Sequence, residues 1–131
     1  MIVIDASALT ELLLQTELGS RVEARLFRTA DDLHTPHLVD VEIAQALRRL
    51  VRARQLAADR AHEALDDLAQ FTVRRHAHTD FLSRAWELRD NLTAYDAIYV
   101  ALAEALGARL VTCDAPLAAT PGHAVRIEVI R

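Results

Sequence analysis

Residues 93–114 read TAYDAIYVALAEALGARLVTCD, and this stretch decides the fold. Thr93 followed by an acid three residues later is the pattern of a capping box, which begins a helix. The apolar run that follows is long enough for a helix, and Gly107 can adopt the left-handed conformation that ends one. Arg109 to Thr112 then has the composition of a buried strand and leads to Asp114. The stretch predicts a helix, a strand and an acid at the strand's end.

The N-terminus has a similar arrangement. Ile2 to Ile4 is short, wholly apolar and rich in β-branched residues, which predicts a buried strand. Asp5 follows it directly, and either Asp5 or Ser7 can cap the helix that the next leucines predict. Leu33 to Thr35 predicts a second strand, ended by Pro36, and Leu38 to Val51 has the periodicity of a long amphipathic helix. Strand and helix therefore alternate from the first residues onward.

Further periodicities extend this alternation to the rest of the chain. They predict helices at about Ser20–Thr29, Ala57–Gln70 and Thr79–Arg89, and strands at Phe71–Arg75 and Val125–Ile130. Five short strands separated by helices indicate a mostly parallel sheet with helices on both faces, because parallel neighbours need crossover connections. A length of 131 residues is typical of one domain. We expect a single α/β domain over residues 1–131.

Composition excludes several classes of protein. A hydrophobic fraction of 52% with 26% charged residues argues against disorder, and no apolar run approaches the roughly 20 residues that span a bilayer. The single cysteine, Cys113, cannot form an intramolecular disulfide, which suits a reducing compartment. We expect a cytoplasmic protein without a membrane partner. The formal net charge of −4 argues weakly against nucleic acid, because the acids proposed below as metal ligands account for it.

Missing residue types remove further mechanisms. All 15 basic residues are arginine, so Schiff-base chemistry and the phosphate-binding lysine of P-loop enzymes are excluded. Only three glycines are present, which leaves no glycine-rich loop for a dinucleotide or a phosphate. The common nucleotide cofactors therefore have no support in the sequence.

Four acids are predicted to meet at one edge of the sheet. Asp5 and Asp114 follow buried strands, and ligands of parallel sheets collect at the carboxyl ends of strands. Asp96 lies in the first turn of the helix that leads into the strand before Asp114, and Glu42 lies early in the helix after the second strand. Singly, each acid is explained as a cap, a turn residue or a solvated charge. Together they would raise one another's pKa unless a cation neutralises them.

Ligation by oxygen alone points to Mg²⁺ or Mn²⁺ rather than to zinc or copper. One or two such ions could activate water and stabilise both the attacking and the leaving oxygen of a phosphodiester. Thr112 and Ser7 have hydroxyls that could order a ligand or a water, although Thr112 also fits a strand and Ser7 a helix cap. We treat both as auxiliary residues.

Three segments carry a resemblance to a known family. They are IVIDASAL at 2–9, HLVDVEIAQALRRL at 37–50, and residues 93–114. They resemble the PIN-domain ribonucleases, particularly the VapC-type toxins of bacterial toxin–antitoxin pairs, and the similarity spans essentially the whole chain. One departure is the segment Ala115–Ala118, which has no further acid or basic residue where some relatives have one.

The resemblance implies a three-layer α/β/α fold and a metal-dependent endoribonuclease that acts as a toxin. It also implies a homodimer, an RNA substrate and a small antitoxin that blocks the site. The positions that match the family's acids are Asp5, Glu42, Asp96 and Asp114, and Thr112 matches the family's frequent hydroxyl. These residues are therefore the predicted catalytic and Mg²⁺- or Mn²⁺-binding set.

Two other functions stay open at this point. One is a non-catalytic PIN-like module that only binds RNA or a protein, and the other is a metal-dependent phosphatase, although such enzymes often need a lysine that this chain lacks. The basic stretch Arg48, Arg49, Arg52 and Arg54 fits either contacts to RNA phosphates or a solvated helix face. We expect the histidines, including His34 and His76, to lie at the surface or at caps, and Tyr99 to pack in the core or at a dimer contact.

Overall fold

The computed structural model describes all residues from 1 to 131. Its elements are β1 (Ile2–Ile4), α1 (Ala6–Leu14), α2 (Glu17–Phe27), β2 (Leu33–Pro36), α3 (Leu38–Arg52), α4 (Ala58–Gln70), β3 (Arg74–His76), α5 (Leu82–Glu87), α6 (Ala94–Leu106), β4 (Arg109–Thr112) and β5 (Ile127–Val129). Two 3₁₀ turns, His78–Phe81 and Ala115–Ala119, precede α5 and follow β4. None of the helices combines the length and the apolar composition needed to cross a membrane.

The five strands form one parallel sheet in the order β3-β2-β1-β4-β5. Ile2 in β1 pairs with Leu33 in β2 on one side and with Arg109 in β4 on the other. The chain thus adds strands to one side of β1 and then to the other side. Ligands of such sheets bind where the direction of winding changes, here at the carboxyl ends of β1 and β4. The predicted α/β class with a three-layer arrangement is confirmed.

The core is built on the two central strands and on α6. All three residues of β1 are fully buried, and in β4 only the first residue, Arg109, is exposed. Seven consecutive residues of α6, Ala97–Ala103, are buried as well. Such continuous apolar stretches are expected where helices cover both faces of a parallel sheet. The buried centre of the molecule therefore ends at the edge of the sheet that carries the predicted acids.

The predicted helix caps are present. Asp5 is the N-cap of α1, and Thr93 is the N-cap of α6, where its side chain accepts a hydrogen bond from the backbone N–H of Asp96. Gly107 ends α6 with a φ of +61°, in the left-handed region. Thr16 adds a cap that the sequence did not suggest, so α2 begins at Glu17 rather than near Ser20.

Besides the start of α2 and the shorter β5, which covers Ile127–Val129 rather than Val125–Ile130, two predicted elements differ from the observed ones. The third strand covers Arg74–His76 instead of Phe71–Arg75, because β2 offers partners only from His34 onward and β3 has no neighbour on its other side. The helix predicted at Thr79–Arg89 is divided into a 3₁₀ turn and the short α5. The difference in the strand thus arises from pairing with a distant part of the chain.

Helices α1 and α2 pack unusually closely at Gly19. A Cβ atom at this buried position would lie 2.0 Å from the backbone carbonyl oxygen of Glu11 and 2.6 Å from its carbon. No side chain fits there unless the backbone moves. The absence of a side chain at Gly19 therefore sets the distance between the two helices.

Candidate active site

Asp5 is the most deeply buried of the four predicted acids, with 6% of its surface exposed. Its Oδ1 accepts hydrogen bonds from the backbone N–H of Ala8 at 3.0 Å and from Ser7 Oγ at 2.7 Å. The hydroxyl of Thr112 donates to its Oδ2. Three donors thus fix the carboxylate, which caps α1 and faces the site at the same time.

Ser7 and Thr112 connect α1 to the end of β4. Their hydroxyl oxygens lie 3.2 Å apart. Ser7 Oγ accepts the backbone N–H of Cys113 at 3.0 Å, and Thr112 Oγ1 accepts that of Asp114 at 2.9 Å. The two predicted auxiliary residues therefore hold the loop that carries Asp114 against Asp5.

Asp96 lies in the first turn of α6, and its backbone N–H donates to the side chain of Thr93 at 3.2 Å. Burial raises the pKa of the Asp96 carboxyl, and the negative charges of Asp114 and Asp5 raise it further. These charges act on Asp96 because α6 begins at the edge of the sheet where β1 and β4 end. The structure thus brings Asp96 into the neighbourhood of the two strand-end acids.

Glu42 reaches the same region from the second turn of α3. Its Oε1 accepts a hydrogen bond of 2.7 Å from the hydroxyl of Tyr99 in α6. Burial raises the pKa of Glu42 most, and the charges of Asp96 and Asp5 raise it further. Burial together with Glu42 also raises the pKa of Tyr99, so the phenol keeps its proton and acts as a donor. Tyr99 is a buried core residue that also orients an acid.

Burial and like charge act together on this group of acids. In Asp5, desolvation raises the pKa although Thr112, Ala8 and Ser7 donate hydrogen bonds that oppose the change, and the charge of Asp114 raises it further. No arginine or histidine forms an ion pair with any of the four carboxylates. The charge of this cluster is therefore not balanced by the protein itself.

The carboxylates do not stand close enough for three of them to ligate one ion in this conformation. The chemistry of the donors nevertheless fits a hard divalent cation, since they are oxygen atoms with uncompensated negative charge. Binding one ion with three side chains would need rotation of Asp96, Asp114 or Glu42, because Asp5 is fixed by its hydrogen bonds. The thiol of Cys113 is unsuited to ligation, because burial and Asp5 raise its pKa to about 11.

An open cleft of about 620 Å³ gives access to this region, and we call it the acid cleft. Its lining includes Ser7, Glu11, Glu42, Arg49, Cys113 and Asp114. Glu11 is a further acid that the sequence pattern did not single out, and its carboxylate accepts a hydrogen bond from Thr16. The role of Tyr99 was also missed, although its position three residues after Asp96 places both on one face of α6.

The prediction that His34 and His76 lie at the surface or at caps is wrong for His34. His34 is 4% exposed, and its Nδ1 lies 2.8 Å from Nε2 of His76 on the neighbouring strand. The register pairs His34 with Arg74, so His76 follows two residues later on the same face of the sheet. The two rings are hydrogen-bonded to each other, whereas the other ring nitrogen of His34, Nε2, is buried without a partner.

Comparison with known proteins now gives the family. The family model for the PIN domain matches residues 2–122. The "VapC ribonuclease Mb0985" of Mycobacterium bovis is 47% identical over 130 residues, which are 99% of this chain and 98% of the relative. This chain belongs to the VapC-type PIN domains. The resemblance suggested by the three sequence segments is confirmed.

Solved structures share the fold of this chain. The crystal structure of PAE2754 from Pyrobaculum aerophilum has a TM-score of 0.67 and 30% identity to the PIN domain described here, over 98% of this chain and 83% of that one. A structure titled as a toxin–antitoxin complex from Klebsiella pneumoniae has a TM-score of 0.64 and 17% identity, over 91% of each chain. The second likeness concerns the fold alone.

Proposed function

We propose that this chain is an endoribonuclease and the toxin of a toxin–antitoxin pair, and that Mg²⁺ or Mn²⁺ supports cleavage. The observation that carries the proposal is the cluster of four acids near the carboxyl ends of β1 and β4, where the direction of winding changes. No arginine or histidine of the chain forms an ion pair with these acids. Asp5, Glu42, Asp96 and Asp114 are the proposed catalytic and metal-binding residues. The relative from M. bovis, which is named a ribonuclease, supports the reaction class.

The chain's own residues have distinct tasks in this proposal. The carboxylate of Asp5 is held in place by three hydrogen bonds before any ligand binds. Tyr99 orients Glu42, while Thr112 and Ser7 keep Asp114 beside Asp5. A divalent cation would supply charge neutralisation and lower the pKa of a water molecule for attack on phosphorus.

We also propose the partners and the location that the sequence led us to expect. They are an RNA substrate, a small antitoxin and a second copy of the chain, in the cytoplasm. The antitoxin is supported by the solved toxin–antitoxin complex of the same fold. A single cysteine suits a reducing compartment.

The test is cleavage by the purified chain freed of any antitoxin. Transfer RNA and ribosomal RNA are incubated with Mg²⁺, with Mn²⁺ or with a chelator, and products are resolved by denaturing electrophoresis. We expect cleavage with either metal and none with the chelator. Asp5→Asn should abolish cleavage, because the amide has no negative charge to bind a cation. Its oxygen can still accept the hydrogen bond from the Ala8 N–H.

Asp67→Asn is the matched control, since Asp67 is an exposed acid on α4 outside the site. It removes the same charge and should leave cleavage unchanged. Undiminished cleavage by Asp5→Asn would contradict the proposed site. Metal-dependent hydrolysis of a phosphomonoester without any cleavage of RNA would instead favour a phosphatase, and RNA binding without turnover would favour a non-catalytic module.

A further inference from the structure

The basic stretch of α3 is divided between two sides of the helix. Arg48 and Arg52 line an apolar groove between α3 and α4, together with residues such as Leu47 and Leu65. Arg49 does not line that groove and belongs instead to the acid cleft. One residue of separation turns a helix by about 100°, so neighbouring arginines face different surroundings. Arg49 is the arginine of this stretch that meets the proposed active site.

Arg49 and Glu42 also border a second depression of about 420 Å³. We call it the lip cleft, and its lining consists of Leu38, Val41, Glu42, Gln45, Arg49 and Tyr95. Because Glu42 and Arg49 line both depressions, the lip cleft continues the acid cleft along α3. It therefore offers room for a chain that extends beyond the reacting phosphate.

Arg49 carries a positive charge that no acid of the protein neutralises in an ion pair. Its side chain is exposed and forms no ion pair, whereas Arg25, Arg75 and Arg84 are each paired with a carboxylate. An unpaired guanidinium beside a cluster of acids would draw a polyanion towards a site that otherwise repels it. Its fork of donors also matches the oxygens of a phosphate.

Tyr95 presents an aromatic ring to solvent at the same place. It is 60% exposed, and Val41, which also lines the lip cleft, is 69% exposed. Tyr99, one turn further along α6, is buried and hydrogen-bonded to Glu42, so packing accounts for it fully. Packing gives no such account of Tyr95. An exposed ring beside a cation is the usual way to bind single-stranded nucleic acid by stacking.

We propose that the lip cleft is the subsite for single-stranded RNA next to the cleaved bond. Arg49 binds a backbone phosphate and Tyr95 stacks on a base. The subsite requires an unpaired strand, because bases in a duplex are stacked on one another and cannot reach the ring. This inference rests on the proposed ribonuclease function and adds the residues that hold its substrate.

The test measures RNA binding apart from cleavage. The full-length Asp5→Asn protein is titrated into a fluorescein-labelled, random-sequence 12-nucleotide RNA, and anisotropy gives Kd at several salt concentrations. Tyr95→Ala should weaken binding between about 5-fold and 150-fold, and Tyr95→Phe should restore it. Arg49→Gln should lower the slope of log K against log salt by about 0.7, the contribution of one phosphate contact on a single strand.

Two matched controls separate this subsite from general surface effects. Arg48→Gln removes the neighbouring charge on the side of the α3–α4 groove, and Trp86→Ala removes an aromatic side chain that is 68% exposed on α5. Both controls should bind the RNA as the parent does. A duplex of the same length should bind more weakly than the single strand and should be insensitive to Tyr95→Ala.

Three results would overturn the inference, and they can be told apart. If the protein with Asp5 intact cleaves RNA but Arg49→Gln and Tyr95→Ala leave Kd and the salt slope unchanged, the subsite is wrong and the proposed function stands. If Tyr95→Ala changes the molecular mass in light scattering instead of RNA affinity, the lip cleft is a contact between copies of the chain. If the intact protein neither binds nor cleaves RNA, the proposed function fails as well.

Discussion

Two regions of this molecule place acids in opposite electrostatic surroundings. At the end of β1, Asp5 lies among other acids, and burial with their charge raises its pKa. In β5, Glu128 accepts hydrogen bonds from Arg25 at 2.5 Å and from Arg109 at 2.8 Å, and these arginines lower its pKa. Glu128 therefore stabilises the fold as an anion, whereas Asp5 costs stability as one. This difference is the one expected if the acid cluster binds a cation, as proposed above, and Glu128 serves the structure.

The largest expected effect concerns activity. Asp96→Asn should reduce RNA cleavage at least about 100-fold, because even residues that only support a metal ligand are worth 10- to 100-fold. Glu128→Gln should leave the rate per folded molecule close to that of the parent. Initial rates at saturating Mg²⁺ check both variants, and a similar loss in the two would remove the distinction between the regions.

The next effect concerns folding. Glu128→Gln should lower the free energy of unfolding by about 2 kcal/mol, since it removes the charge of the acid that is hydrogen-bonded to the buried Arg25. The side chain of Arg25 is only 7% exposed, and its Nη1 atom already lacks a hydrogen-bond partner. Urea denaturation followed by circular dichroism measures the change. A loss below about 0.5 kcal/mol, which is typical of surface substitutions, would show that the Arg25–Glu128 pair does not stabilise the fold.

Tyr99 links the core to the acid cluster, so its hydroxyl tests how precisely Glu42 must be held. Tyr99→Phe should reduce cleavage about 10-fold through loss of the hydrogen bond to Glu42, with the buried ring kept in place. The decrease should appear in kcat rather than in the affinity for RNA. Ser83→Ala, which removes an exposed hydroxyl from α5 outside the site, is the control and should keep the parent's rate.

The acid cluster should also lower the free energy of unfolding when no metal is bound. Asp96→Asn should raise the free energy of unfolding by about 1 kcal/mol, because it removes a charge that burial and Asp114 disfavour. Adding Mg²⁺ should stabilise the parent more than the variant, since a ligand stabilises only the state that binds it. Thermal unfolding with chelator and with Mg²⁺ checks both statements. A destabilised variant in the chelator would mean that Asp96 is needed as a cap.

The smallest effect comes from a pair of histidines, the buried His34 and the half-buried His76. Burial lowers the pKa of both rings, and neighbouring positive charge lowers each further. The unfolded chain therefore binds protons more readily, so the pair stabilises the fold above pH 6.5, the ordinary histidine value, and loses this effect as pH falls below it. Thermal melting between pH 7.5 and 5.5 should show a smaller decrease for His76→Gln than for the parent.

The sequence indicated those parts of the fold and site that depend on local chemistry. Asp5 and Asp114 directly or closely follow short apolar strands, and Thr93 and Gly107 mark the ends of a helix by their own preferences. The contact between Tyr99 and Glu42, by contrast, joins residues 57 positions apart. The pairing of His34 with His76 depends on which strands become neighbours. Such contacts follow from the register and packing of the whole chain, which no short pattern contains.

The close packing of α1 and α2 has a consequence for the entrance to the acid cleft. Glu11 and Leu18, which line that cleft, belong to the two helices that meet at Gly19. Adding one methyl group at position 19 would force these helices apart and move both walls at once. The spacing of these two walls thus depends on the absence of a side chain at Gly19, a residue that does not itself line the cleft.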